Sequence, residues 1–238
     1  MRFKFASKRS NLHLMTKDNF THVTTWVFDL DNTLYPHHSN LFHQIDQKIS
    51  EFLQRVTGKP ADEARALQLA YYKEYGTTLR GLMLEHNIDS DEFLEYVHDI
   101  DHSVLDPNPR LADAINQLPG KCYILTNGTR KHAEAVANRL GITHHFEDIF
   151  GIVEADLIPK PKAETYERFL TKNSIAPQKA AMFEDLSRNL VVPNSLGMRT
   201  VLVVPDGTRE VFREDWELST GEEPHVEFVT DHLDNFLC

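Results

Sequence analysis

Cysteine is almost missing: the 238 residues hold two, Cys122 inside the apolar run Cys122-Tyr123-Ile124-Leu125 and Cys238 at the last position. Two residues so placed give no disulfide framework, which fits a reducing compartment and an expectation of a cytoplasmic protein. Cys122 reads as a small buried hydrophobe. No apolar stretch approaches the roughly 20 residues needed to cross a bilayer, so no membrane partner is expected. Positive charge is scarce as well, with 25 Lys and Arg against 36 Asp and Glu and a formal net charge of -11. Without a basic stripe interleaved with aromatics, that balance argues against a nucleic acid polymer as partner. It leaves room for a small anionic substrate, because a local cluster of cations can dominate a site on an acidic protein. The first 17 residues carry Arg2, Lys4, Lys8, Arg9 and Lys17 and no acid. They lack the apolar region of a leader, and residues 1–20 are expected to be a disordered or extended N-terminus.

What is present is enough apolar material, 41% of the residues, to bury one large core with a smaller appended domain. Trp26-Val27-Phe28 reads as a buried strand running into Asp29-Leu30-Asp31. Leu41, Ile45, Ile49, Phe52, Leu53 and Val56 then recur at helical spacing, with Ser39 or Asn40 as cap and Gly58 as stop. A second helix starts near Pro60 and reaches Gly76; Thr77 or Thr78 caps a third over Leu79–Glu85. A fourth follows Asp89, whose spacing to Glu92 fits an acidic capping box. Residues 38–106 are therefore expected to form an all-helical insert.

Beyond Pro107 and Pro109 the pattern alternates. Cys122–Leu125, a short segment at Ile149–Val153, Ala180–Phe183 and Thr200–Val204 read as strands, with helices up to Leu118, Leu140 and Leu170 and one closing at Gly197. Val226–Val229 is a candidate edge strand. Alternating strands and helices predict an α/β fold with a doubly wound parallel sheet. The core comprises 21–37 and 107–238, and the insert lies over the strand ends as a cap.

Each strand end carries a polar group. Asp29 and Asp31 bring two carboxylates together, and at about 4 Å in an effective dielectric of about 20 they would repel by roughly 4 kcal/mol. Such a pair needs a cation, a shared proton or distance; otherwise Asp31-Asn32-Thr33 is only a turn. Leu125 leads to Thr126-Asn127-Gly128, a hydroxyl and amides at a helix start, where an anion is favoured. Ile158-Pro159-Lys160-Pro161 holds a lysine between two prolines, and Phe183 leads to Glu184-Asp185 with Asn189 beyond.

The ordered set Asp29-x-Asp31-x-Thr33, Thr126, Lys160 and Glu184-Asp185-x-x-x-Asn189 resembles the haloacid dehalogenase superfamily, over residues 22–206. Tyr75-Gly76-Thr77-Thr78-Leu79-Arg80-Gly81-Leu82, together with Thr126-Asn127-Gly128-Thr129-Arg130-Lys131-His132-Ala133 and Phe183-Glu184-Asp185-Leu186-Ser187-Arg188-Asn189-Leu190, is similar to its pyrimidine 5'-nucleotidase group. Val192-Pro193-Asn194-Ser195 departs from the alanine-rich helical run that group carries.

The resemblance implies a phosphatase acting on UMP- or CMP-type monophosphates. Asp29 would be the nucleophile and Asp31 the acid/base, with Thr126, Lys160, Asn127 and Gly128 around the phosphate. Mg²⁺ would be held by Asp29, Asp185 and the backbone carbonyl of Asp31, with Glu184 and Asn189 orienting those ligands. Thr78 and Arg80 are the candidate substrate contacts from the cap. The alternatives are another small phosphate such as phosphoglycolate or a sugar phosphate, and a non-catalytic sensor of a phosphorylated ligand. A dehalogenase is disfavoured, since those enzymes do not place aspartate at the position of Asp31. His37, His38, His144 and His145 read as surface histidines. His132 reads as a substrate contact or a loop brace, and Tyr71, Tyr72 and Tyr75 as cap core. The protein is expected to be a monomer or homodimer.

Overall fold

A computed structural model describes residues 17–207 and 221–238. Residues 1–16 lie outside that range. Lys17–Phe20, expected as the end of an extended arm, instead form a short 3-10 turn. The reason is apolar: Phe20 is buried, with its ring 5.8 Å from that of Trp26.

The chain then forms strand β1 (Thr25–Phe28), and a run of four helices follows: α1 (Leu41–Thr57), α2 (Ala61–Tyr75), α3 (Thr78–His86) and α4 (Ser90–Val97). Their ends obey local chemistry. Gly58 and Gly76 close α1 and α2 in the left-handed region, with φ of 67° and 89°. Thr77 caps α3 by accepting from the Arg80 amide, and Asp89 caps α4 by accepting from the amides of Asp91 and Glu92. The four helices bury Ile45, Phe52, Leu53, Leu79, Leu82, Phe93 and Val97 against one another. Gly81 is required there, because a Cβ would sit 2.4 Å from Cγ of Tyr71.

Helix α5 (Pro109–Asn116) returns the chain to the sheet. There follow β2 (Lys121–Leu125), α6 (Arg130–Leu140), β3 (Phe146–Phe150), α7 (Ala163–Lys172), β4 (Ala180–Glu184), α8 (Val191–Ser195), β5 (Arg199–Val203), β6 (Phe228–Thr230) and α9 (Leu233–Leu237). All five pairings are parallel, in the order β3-β2-β1-β4-β5-β6. The expected edge strand near Val226–Val229 is β6, shifted one or two residues onward. α8 is only five residues long and includes Pro193, as the departure at Val192–Ser195 suggests.

One strand lies elsewhere than its apolar run implied. β3 spans Phe146–Phe150, not Ile149–Val153. It is a sheet edge, where charged residues are tolerated. Asp148 meets Arg130 at 2.7 Å and Lys172 at 2.9 Å, and Glu147 meets Lys121 at 3.2 Å. Period-2 burial divides β1 between two layers. Trp26 and Phe28 enter one cluster, where Phe28 stacks on Phe183 with ring centroids 4.7 Å apart, and Val27 enters the other with Tyr123 and Phe169. Each such buried side chain contributes about 1.5–3 kcal/mol. β1 is the strand from which the order runs outward in both directions, so its carboxyl end is the switch point where open α/β sheets form their crevice.

Candidate active site

Asp29 follows β1 directly, and its amide donates to the Phe183 carbonyl at 2.9 Å, extending the strand pairing into the site. Its Oδ1 accepts from Lys160 Nζ at 2.7 Å and its Oδ2 from Thr33 Oγ1 at 3.1 Å. Lys160 uses all three ammonium protons, donating also to Glu184 Oε1 at 2.6 Å and to the Leu125 carbonyl at 2.8 Å. Burial works against the charge on Lys160, but Asp29 and Glu184 more than offset it and hold the ammonium above its ordinary range. Its backbone is fixed by Asn127, whose Oδ1 accepts from the Lys160 amide at 2.8 Å and whose Nδ2 donates to the Lys160 carbonyl at 3.2 Å.

One cation does not balance the carboxylates around it. Oxygens of Asp29, Glu184 and Asp185 lie within 4.8 Å of one another. Burial, and next the charge of Glu184, raise Asp29 from its ordinary value to about 7 against the pull of Lys160. An all-oxygen set with excess negative charge fits a hard divalent cation. Glu184 is the least available of the three. Its Oε1 accepts from Lys160 and from Asn189 Nδ2 at 2.8 Å, and its Oε2 from the Leu186 amide at 3.1 Å. The side chain of Asp31 does not join the cluster. His37, expected on the surface, instead turns its side chain inward there, 7% exposed, with Nε2 3.9 Å from Asp185 Oδ2. Pro36 and the 3-10 turn at His37–Ser39 carry it back over the strand end.

The Asp31 carboxylate faces a different set of partners. Its Oδ1 accepts from Tyr35 Oη at 2.6 Å and from His132 Nε2 at 3.0 Å. Burial alone would raise this carboxyl, but His132, by charge and hydrogen bond, and then Tyr35 bring it below its ordinary value. His132 Nδ1 in turn lies 3.1 Å from His102 Nε2, and its ring stacks on His98 at a centroid distance of 4.7 Å. His98 donates through Nδ1 to the Leu94 carbonyl at 2.9 Å. Burial, and next His132, depress it to about 4. The histidine cluster joins the end of α4, the 3-10 turn at His102–Val104 and the first turn of α6. Thr129 caps that first turn by accepting from the His132 amide.

A cavity of about 550 Å³ opens above this floor. Asp29, Asp31, Thr126, Asn127, Gly128, Lys160, Asp185 and Asn189 line it from the core. Thr126 is 2% exposed, and its Oγ1 accepts from the Gly128 amide at 2.9 Å. The helical unit supplies the roof, including Thr78, Tyr72 and Phe93. Arg80 is not among the lining residues, contrary to the expectation from sequence; Thr77, Thr78 and Leu79 face the cavity and the next residue turns away, as helix geometry dictates. The cap arginine that lines it is Arg65. Tyr71 is cap core, bonded to His86 at 2.9 Å, whereas Tyr72 faces the cavity with Arg188 over its ring at 4.2 Å.

Sequence reasoning missed Tyr35, His98, His102, Gln68, Asp46 and Arg65. Two carried a local signal. Tyr35 stands four residues from Asp31, one turn away, and Gln68 occupies a core position in the buried line Ala64, Gln68, Tyr71 of α2.

A parallel sheet with a lysine-braced aspartate at its switch point, under an inserted helical roof, defines a capped α/β protein with a carboxylate-centred site. Residues 23–190 match the haloacid dehalogenase-like hydrolases, and the chain belongs to that family. Over 195 residues it is 29% identical to phosphate metabolism protein 8 of Saccharomyces cerevisiae, a match covering 74% of this chain and 60% of the relative's length. Among solved structures, the fold is similar to that of an L-2-haloacid dehalogenase from Xanthobacter autotrophicus with chloropropionic acid covalently bound. The TM-score is 0.53 at 16% identity, over 90% of this chain and 97% of that one. It is similar also to a HAD phosphatase from Thermococcus onnurineus, with a TM-score of 0.51 at 19% identity, over 81% and 92% of the two chains. These structural likenesses concern the fold. No helix of the described residues is long and apolar enough to cross a membrane.

Proposed function

We propose that the protein is a Mg²⁺-dependent phosphatase acting on pyrimidine nucleoside 5'-monophosphates through an aspartyl phosphate on Asp29. The observation that carries the reading is the division of labour between two carboxylates two residues apart. Asp29 sits among Lys160, Glu184 and Asp185, while Asp31 is bonded only to proton-bearing groups, Tyr35 and His132. That separates a nucleophile from an acid/base.

Lys160 holds Asp29 in one rotamer, and Thr33 aligns its second oxygen, so attack on phosphorus needs no reorganisation of the nucleophile. The Thr126 hydroxyl and the Asn127 amide would grip the equatorial oxygens of the phosphate, while the Gly128 amide holds Thr126 and Lys160, its three protons already engaged, would lend its positive charge beside them. Asp29, Asp185 and the backbone carbonyl of Asp31 would hold the cation, which supplies charge neutralisation between phosphate and carboxylates. A phosphate dianion arriving beside Asp31 raises the proton affinity of that carboxylate. His132 stands behind it as the hydrogen-bond donor. Asp31 can then protonate the leaving ester oxygen and afterwards take the proton of the attacking water.

The assignment to nucleotides is supported by the resemblance in the cap, by cavity size and by lining. About 550 Å³ lies within the range of sites that enclose small organic ligands, and Phe42, Ile49 and Phe93 supply apolar walls for a ring. The name of the yeast relative is in keeping with phosphate chemistry. The test is phosphate release from UMP, CMP, AMP, GMP, phosphoglycolate and sugar phosphates, with Mg²⁺ and with a chelator. Mg²⁺-dependent preference for UMP and CMP is the expected result. A preference for phosphoglycolate or equal use of purine nucleotides contradicts the substrate assignment, and no release of phosphate from any of them contradicts the phosphatase.

A further inference from the structure

Gln68 is 4% exposed, in the middle of α2, yet it belongs to the cavity wall. Its Nε2 donates to Asp46 Oδ1 at 2.8 Å. A carboxylate only accepts, so this contact fixes which end of the amide is nitrogen. Asp46 is itself held by Arg65, whose Nη1 reaches the same Oδ1 at 2.6 Å. Gln68 is thus clamped through its nitrogen, and its Oε1 is left as a buried acceptor with no donor among the described residues.

Buried acceptors without donors are costly and uncommon in native structures, and each calls for a reason. Packing does not supply one here, since leucine or methionine would fill the same line of α2 without an orphaned oxygen. The residue's place in the cavity wall does: Gln68, Asp46 and Arg65 form a polar patch in the roof beside the rings and side chains of Phe42, Ile49 and Tyr72. Apolar side chains beside a clamped acceptor in the roof suit a planar heterocycle carrying an N–H.

We propose that Gln68 is a specificity-determining residue whose Oε1 accepts a hydrogen bond from an N–H of the substrate's base, a ring N–H or an exocyclic amine. The inference rests on the nucleotide reading above and deepens it. Uracil offers N3–H and cytosine its exocyclic amine, so both can satisfy the oxygen. Asp46 and Arg65 act by positioning the amide.

The test compares UMP with N3-methyl-UMP, which lacks the donor, in the wild type and in Gln68→Met. Methionine keeps the volume and removes the acceptor, and far-UV circular dichroism and thermal unfolding report whether the variant is folded. The expected result is a wild-type preference for UMP of about tenfold or more in kcat/KM, as befits a site left with an unpaired polar group by the analogue. Gln68→Met should lose about the same factor toward UMP and bring the two substrates close together. A wild type that does not distinguish them, or a folded Gln68→Met that keeps the wild-type preference, overturns the role of Gln68 while leaving UMP turnover and the function above intact. If Gln68→Met does not fold, the wild-type ratio decides alone. Wild-type hydrolysis of 4-nitrophenyl phosphate with none of UMP or CMP overturns the nucleotide reading and this inference with it.

Discussion

Replacing Lys160 with methionine removes a single charge that serves two buried carboxylates. Methionine matches the stem of lysine but leaves the side chains of Asp29 and Glu184, 9% and 0% exposed, facing each other without their shared donor. Breaking a buried ion pair from one side costs about 3–5 kcal/mol. At about 2–4 °C per kcal/mol for a chain of this size, the midpoint should fall by roughly 6–20 °C. The pH dependence has a definite sign. Lys160 is held above its ordinary 10.5, so in the wild type its contribution is fully present between pH 5 and 8 and would be lost only as pH rises through its folded value. Asp29 is raised from 3.8 to about 7 even beside Lys160. A raised carboxyl relieves its buried charge as pH falls through the folded value, so the deficit of Lys160→Met should shrink from pH 8 toward pH 5. Thermal unfolding of both proteins in chelator across that range measures it. Addition of Mg²⁺ should raise the variant's midpoint more than the wild type's, because the excess negative charge is larger. A variant within about 2 °C of wild type at pH 8, or a deficit that grows on acidification, would refute the charge balance described for the site.

Two further outcomes follow from packing and burial. Gly81→Ala forces a Cβ to 2.4 Å from Tyr71 Cγ and should lower stability by about 1–3 kcal/mol, read as a lower urea midpoint at unchanged slope; an unchanged midpoint would contradict the close packing of α2 on α3. Cys122 is 5% exposed, and burial pushes its thiol up to about 12. At pH 8 a maleimide should therefore modify Cys238 in the native protein and both cysteines in urea, whereas rapid native labelling of Cys122 would contradict its burial.

Much of the fold was legible because its signals are local. Trp26–Phe28 and Ala180–Phe183 are apolar runs that end in acids, and Gly58, Gly76, Thr77 and Asp89 mark helix ends by backbone and capping chemistry that needs no tertiary context. β3 was displaced because hydrophobicity alone does not find an edge strand in which Glu147 and Asp148 are served by Lys121, Arg130 and Lys172. Lys160 was legible from its two flanking prolines, but its contacts with Asp29 and Glu184 span 131 and 24 residues. The histidine cluster was not legible. His98 and His102 sit at the end of the helical insert and His132 in the core, 30 residues beyond His102, and only the return of the chain brings them together. In the roof, Arg80 lies outside the cavity lining and Arg65 within it. Arg80 is in the glycine-flanked phrase that caught attention, while Arg65 lies on α2, whose apolar stripe is weak and gives little sign of which face is inward.

The central claim is that Asp29 is phosphorylated while Asp31 moves protons. It is tested most directly by trapping the covalent intermediate in Asp31→Asn. That variant keeps the nucleophile and the groups around it but cannot activate water, and with a good leaving group its formation step needs little protonation. Rapid acid quench with an activated, labelled aryl phosphate, followed by peptide mapping, should find phosphate accumulating on Asp29, and none in Asp29→Asn. Absence of labelled protein together with turnover near that of the wild type would contradict the assignment of the two aspartates.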